Sequence, residues 1–258
     1  MGTQARTDPA LRSVDLPRGP AAYTDEGSGP VVVCVPGYPG GPRDYRYLAP
    51  ALPDHRVIRL AMPGQGDTPL ATAPGASIAA RADFVREMLQ ALDLQEVLLV
   101  GHSMGGGIAS ASSVDNPRVQ ALGLLASIGA WKHKGLLSLP SLMPRLAEGD
   151  WTWALIRPLA RRGFRAAGFP SYHDDPSLRH TLRCAGALDF DEVARAHDAV
   201  RVPTLVAWAQ DDPLIEPEVP LDISRRVPEG PRLSWPTGGH NIQKTHAAEL
   251  GAALMDLA

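Results

Sequence analysis

One serine, one histidine and a pair of aspartates carry the chemistry this sequence can offer. Ser103 lies in Gly101-His102-Ser103-Met104-Gly105-Gly106-Gly107, a G-x-S-x-G pattern. A serine hydroxyl is a poor nucleophile near neutral pH. It needs a base within hydrogen-bond reach, and the base needs an acid to hold its tautomer. Both types occur further along the chain: Asp211 and Asp212 soon after Trp208, and His240 at the end of Pro236-Thr237-Gly238-Gly239-His240. Together these groups can attack a carbonyl carbon and pass the proton to a leaving group.

Such groups must be held by elements that bring distant loops together. Val97-Leu98-Leu99-Val100 reads as a strand buried on both faces, and Ile108-Ala109-Ser110-Ala111 as part of a helix. Strand, tight turn and helix in that order lift the serine hydroxyl clear of a sheet. The same glycines also allow Gly101-x-x-x-Gly105-x-Gly107, a spacing used at dinucleotide sites. That reading expects an acid at the end of the next strand. Residues 119–126 are followed by Ser127-Ile128-Gly129-Ala130-Trp131, with no acid, and no tyrosine has a lysine four residues later. No nicotinamide or other cofactor is expected.

Residues 1–17 read as a loose tail or a first edge strand, and residues 21–25, 31–35 and 56–60 as strands. Residues 44–52 read as a short helix. Residues 77–92 carry apolar side chains at helical spacing behind Ser77, a suitable N-cap. From 130 to 200 strand signals stop and helical apolar runs take over at 136–146, 151–167 and 178–187. The alternation resumes with a strand at 203–208, a helix at 217–227, a strand at 232–235 and a helix at 243–257. Alternating strands and helices imply a mostly parallel sheet covered on both faces, with ligands at the carboxyl ends of the strands.

The chain has 258 residues, 44% of them hydrophobic, enough for a large core. Its net charge of −3 gives no basic excess for nucleic acid. Cys34 and Cys184 are the two cysteines, too few for a disulfide scaffold. Residues 1–20 are polar rather than signal-like, and no stretch has the length of a membrane span. These features lead us to expect a cytoplasmic globular protein with a small-molecule substrate and no membrane partner. Oligomeric state is not readable. His55, His133, His173, His180, His197 and His246 lack metal-ligand spacing, so no metal is expected.

The motifs in combination resemble the α/β-hydrolase superfamily over nearly the whole chain outside the 130–200 segment. Gly101-His102-Ser103-Met104-Gly105-Gly106 matches its nucleophile elbow. Pro36-Gly37-Tyr38-Pro39-Gly40 is similar to its His-Gly-x-Pro-Gly oxyanion loop. Pro63-Gly64-Gln65-Gly66-Asp67-Thr68 resembles its Pro-Gly-x-Gly-x-Ser loop. Trp208-Ala209-Gln210-Asp211-Asp212 resembles Trp-Gly-x-x-Asp, and Gly239-His240 its histidine turn. The chain order Ser, Asp, His is the order expected of this fold.

The resemblance implies a mostly parallel central sheet flanked by helices. A helical cap is inserted after the strand that follows the nucleophile helix. The core is then 1–129 and 201–258, and the cap 130–200. It implies Ser103, Asp212 and His240 as catalytic residues, with the backbone N–H groups of Tyr38 and Met104 as the oxyanion hole. His102 is then a structural neighbour, and Asp67 and Asp211 turn or surface residues. Trp131, Trp153 and Phe164 are candidate pocket residues among cap aromatics that include Trp151, Phe169 and Tyr172. Two departures stand out. Pro36 replaces a loop-shaping histidine, and Ala209 replaces a glycine, which loosens the choice between Asp211 and Asp212. The implied activity is a carboxylesterase-like serine hydrolase cleaving a small-molecule ester, thioester or related acyl bond through an acyl-enzyme. A lyase, acyltransferase or carbon–carbon hydrolase could use the same triad, and a non-catalytic binding protein could keep the fold.

Overall fold

Aliphatic runs build the middle of one eight-stranded sheet in the computed structural model, which describes residues 8–65, 67–72, 75–137, 142–166 and 174–257. Strands β1 (Arg12–Leu16) and β2 (Gly19–Glu26) form an antiparallel pair at one edge, and β2 runs antiparallel to β4 (Arg56–Leu60). The rest is parallel: β4, β3 (Val31–Val35), β5 (Val97–His102), β6 (Val119–Leu125), β7 (Thr204–Ala209) and β8 (Arg232–Trp235). The strand order is β1-β2-β4-β3-β5-β6-β7-β8. From β3 the chain crosses to β4 on one side and then returns to β5 on the other. The loops leaving β3 and β5 therefore diverge, and the crevice between them is where such sheets bind ligands.

Side chains alternate along the strands, so each face buries its own cluster. Val33 and Val35 face Ile78, Val85 and Met88 of α1 (Ile78–Ala91) and Ile108 of α2 (Met104–Ser113). Val32 and Cys34 join Tyr45, Leu48 and Leu52 on the opposite face, with α9 (Ile242–Thr245) and α10 (Ala247–Met255). Ser77 caps α1, its hydroxyl accepting the Ala80 N–H at 3.2 Å.

Among the described residues, five helices lie between β6 and β7: α3 (Lys134–Leu137), α4 (Met143–Leu146), α5 (Asp150–Ala166), α6 (Asp175–Gly186) and α7 (Phe190–Ala199). Helices α4 to α6 share a small cluster of their own around Met143, Trp153, Leu178 and Leu182. Helix α7 instead sends Val193 into the core cluster that contains Ile108. Helix α8 (Glu218–Arg226) follows β7.

Some elements differ from the sequence reading. Residues 44–52 form two 3-10 turns, Pro42–Tyr45 and Ala49–Ala51, because Pro50 has no N–H to continue an α-helix. The C-terminal helix breaks at His246 (φ −125°, ψ 35°), whose ring stacks on Trp235 at 4.3 Å. Of the expected 136–146 helical run, the described residues form the end of α3 and all of α4, and 138–141 lie outside the described residues. Gly66, Phe169, Tyr172 and His173 also lie outside them.

Candidate active site

Ser103 sits at the corner between β5 and α2 with φ +56° and ψ −124°. That conformation costs about 1–3 kcal/mol for a residue with a side chain, so its surroundings must enforce it. They do so through the backbone. Ser103 N–H donates to Leu125 O at 3.0 Å, and its carbonyl accepts from Gly106 at 3.0 Å and Ile128 at 3.2 Å. The glycines around it are sterically required. A Cβ on Gly101 would meet Gly105 O at 2.3 Å, and one on Gly105 would meet Val35 O at the same distance.

His240 and Asp212 face each other across two loops. His240 Nδ1–H donates to Asp212 Oδ2 at 2.8 Å, with the carboxylate side chain 1% exposed. Asp212 Oδ1 accepts the N–H groups of Leu214 (2.8 Å) and Ile215 (3.1 Å). Burial alone would raise the Asp212 pKa. The bond and charge of His240, with the two backbone donors, outweigh it and hold the carboxyl below its ordinary range. With Nδ1 protonated, Nε2 is the free acceptor, the tautomer a general base needs. The neighbouring Asp211 acts on the backbone instead. Its Oδ1 accepts the Gly239 N–H at 2.8 Å and holds the turn before His240.

His102 ties the elbow to the histidine loop. Its Nε2–H donates to His240 O at 2.9 Å, and the two rings are 4.7 Å apart. Burial, then the nearby His240, lowers the His102 pKa to about 3, so the ring is neutral. Nothing in the sequence pattern points to this bond, which spans 138 residues.

The loop after β3 lies against the elbow. A Cβ on Gly37 would come within 2.9 Å of Ser103 Cβ. The backbone N–H groups of Tyr38 and Met104 have no protein acceptor among the described residues. Tyr38, Ser103 and Met104 line one cavity of about 350 Å³ with His133, Phe164 and Leu214. Of the three aromatic pocket candidates, Phe164 is on this wall. Trp153 is absent from it because it packs inside the α4–α6 cluster, and Trp131 stands 36% exposed outside it. His133 is a polar wall residue that sequence patterns did not mark. Its Nδ1–H donates to Leu214 O at 2.9 Å, and burial lowers its pKa. Among the described residues no group of three or more His, Cys, Asp or Glu side chains is placed to hold a metal ion. No helix there is long and apolar enough to cross a membrane.

A mostly parallel sheet with a serine on a strained strand–helix corner, beside a cavity at the strand order's reversal, places this chain among open α/β folds with a site at the switch point. The chain belongs to the alpha/beta hydrolase fold family, which it matches over residues 30–174, and it is a hydrolase. It is 31% identical to "Putative carbamate hydrolase RutD" of Variovorax paradoxus (strain S110), covering 78% of this chain and 80% of the relative. It is 24% identical to the protein of the same name from Escherichia coli O17:K52:H18, covering 97% and 94%. In structure it is similar to an esterase from Exiguobacterium antarcticum (TM-score 0.75, 21% identity, covering 97% of this chain and 98% of that one). It is also similar to an epoxide hydrolase from hot-environment metagenomes (TM-score 0.76, 20% identity, covering 97% and 99%). Both likenesses concern the fold.

Proposed function

We propose that this hydrolase cleaves a small-molecule ester, thioester or related acyl bond through a Ser103–His240–Asp212 relay, under a helical cap at 130–200. The observation that carries this reading is the buried 2.8 Å bond from His240 Nδ1 to Asp212, which leaves Nε2 as the proton acceptor. Ser103 Oγ adds to the carbonyl carbon while His240 Nε2 takes its proton. The N–H groups of Tyr38 and Met104 receive the developing oxyanion, and losing one such donor typically costs about 100- to 1,000-fold in rate. Collapse of the adduct breaks the bond to the leaving group, which takes the proton from His240. Water then adds to the acyl-enzyme by the same route in reverse, releasing the acid and restoring the serine.

The names of the curated relatives favour a carbamate as the acyl group. In that reading the neutral ring of His133, with Nδ1–H committed to Leu214, offers Nε2 as an acceptor for a substrate N–H. A fluorophosphonate probe tests the nucleophile: labelling of wild type and not of Ser103→Ala supports the relay. A folded wild type that stays unlabelled removes it and favours a non-catalytic binding role. Comparing kcat/KM for 4-nitrophenyl acetate and 4-nitrophenyl carbamate then separates the two acyl classes.

A further inference from the structure

A second cavity of about 440 Å³ lies on the opposite side of α6 from the serine cavity, between α1 and α4. Its walls carry three guanidinium groups, those of Arg81, Arg145 and Arg183, together with His180 and Glu148. Glu148 is already committed: its Oε2 takes Arg183 Nε at 2.9 Å and Nη2 at 2.6 Å. Arg145, exposed on α4, has no ion pair among the described residues.

Arg81 is the unusual member. It is 1% exposed, and an arginine stays charged at any ordinary pH. Its partners are all neutral. Nη1 donates to Pro63 O at 3.0 Å, Nη2 donates to His180 Nε2 and approaches Cys184 Sγ at 3.6 Å, and the guanidinium lies 5.6 Å from the Tyr38 ring centroid. Its Nε has no partner. Guanidinium nitrogens only donate, so His180 Nε2 must accept, and the ring is neutral in this arrangement. Among the described residues no carboxylate lies within ion-pair distance of Arg81. Buried charges are ordinarily paired, because removing an ion from water without a counter-charge is costly.

We infer that this cavity is a binding site for a small oxyanion, a carboxylate or a phosphate, held by Arg81 and Arg145 with Arg183 at its side. The anion supplies the counter-charge that the fold leaves out. The site also borders the serine cavity. The Tyr38 ring packs between the two, 6.1 Å from His180 and over Arg81, and Tyr38 carries one of the proposed oxyanion donors. An anion beside Arg81 therefore sits one side chain away from the loop that would polarise a substrate carbonyl.

The test is binding, read without turnover, so that its outcome is independent of the proposed reaction. The full chain is titrated with sodium phosphate and, separately, with sodium acetate. Sodium chloride at matched ionic strength is the control, and melting temperature and calorimetric heat are the readouts. A saturable rise in melting temperature with either oxyanion, beyond the chloride control, is expected, since a ligand of the native state stabilises it by mass action. Arg145→Ala, an exposed change that leaves the core intact, should weaken the apparent affinity at least fivefold. Arg81→Met should abolish the response while keeping or raising the melting temperature in oxyanion-free buffer. If Arg81→Met fails to fold, Arg145→Glu supplies the second variant, with the response lost. Prior labelling of the serine with a fluorophosphonate should leave binding intact. No saturable response, an unchanged response in Arg145→Ala and Arg145→Glu, or loss of binding on serine labelling would each overturn the inference, the last by moving the anion into the serine cavity.

Discussion

Replacing Asp212 by asparagine perturbs the proposed proton relay with almost no change of shape. The carboxylate is held at both ends: Oδ1 accepts from Leu214 and Ile215 N–H at 2.8 and 3.1 Å, and Oδ2 accepts from His240 Nδ1–H at 2.8 Å. An asparagine has one accepting end and one donating end. Placed with its NH2 toward His240, it satisfies both backbone donors, but His240 Nδ1 must then accept and Nε2 must carry the proton. That tautomer cannot take a proton from Ser103. Placed the other way, the NH2 meets two backbone N–H groups in a site where the side chain is 1% exposed. Each buried donor left without an acceptor costs about 1–3 kcal/mol. Two of them, about 2–6 kcal/mol together, hold the productive orientation to about one part in 30 to 20,000, with 1.4 kcal/mol per factor of ten. The expected loss in kcat is therefore about 30- to 20,000-fold, and the equivalent change in a serine protease costs about 10,000-fold. Asp211→Asn is the internal control. Its Oδ1 accepts one N–H from Gly239 at an exposed turn, a bond asparagine keeps, so activity should stay within about threefold. The assay is kcat/KM on 4-nitrophenyl acetate, or the fluorophosphonate labelling rate, with melting temperature to verify the fold. A folded Asp212→Asn retaining more than a tenth of wild-type activity, or an Asp211→Asn equally impaired, refutes the assignment.

Three further outcomes can be checked by stability measurements. Asp44 lies beneath the Tyr38 loop, its Oδ2 accepting the Gly41 N–H at 2.9 Å, and burial raises its pKa from 3.8 to about 6. Because the folded value is raised, the ionised carboxyl opposes folding. The cost is absent below pH 4, grows between pH 4 and 6 and is complete above. Two pH units correspond to about 3 kcal/mol at most, and partial exposure reduces this to about 1–2 kcal/mol. Asp44→Asn keeps the acceptor, so it should raise the melting temperature at pH 7.5 and leave it unchanged at pH 4; equal gains at both would contradict the reasoning. Gly105→Ala places a Cβ 2.3 Å from Val35 O and 2.6 Å from Pro36 O, both backbone atoms. It should cost about 3 kcal/mol or more, and a soluble variant with the wild-type melting temperature would show that the corner can relax. His102→Leu removes the donor to the His240 carbonyl and should cost about 1–3 kcal/mol. If chemical denaturation gives the same free energy as wild type, the bond does not fasten the loop.

What the sequence made legible follows from the range of the interactions involved. The parallel strands were readable because being buried on both faces leaves an unbroken aliphatic signature, as in Val31–Val35 and Val97–Val100. The serine corner was readable because its steric demands fall within five residues, so the glycines that relieve them are neighbours in the chain. Asp212 and Asp211 are adjacent and both accept hydrogen bonds at the same turn. Spacing could rank them, and their separate roles emerge from which loop each carboxylate meets. The wall that α5 and α6 give the serine cavity was not readable, and α5 shows why. Trp151, Leu155 and Leu159 form one apolar stripe of that helix and stand 73%, 70% and 60% exposed, yet Leu159 lines the serine cavity together with Ala160 and Phe164 of the other stripe, and Trp153 is buried. Two apolar stripes on one helix give a sequence no means of saying which faces inward. The contact between Arg81 and His180 spans 99 residues and pairs types that no motif predicts. Residues set by local sterics were thus legible, and residues set by helix facing or by charge across the seam between α1 and α6 were not. That seam is where a charged ligand would have to be recognised.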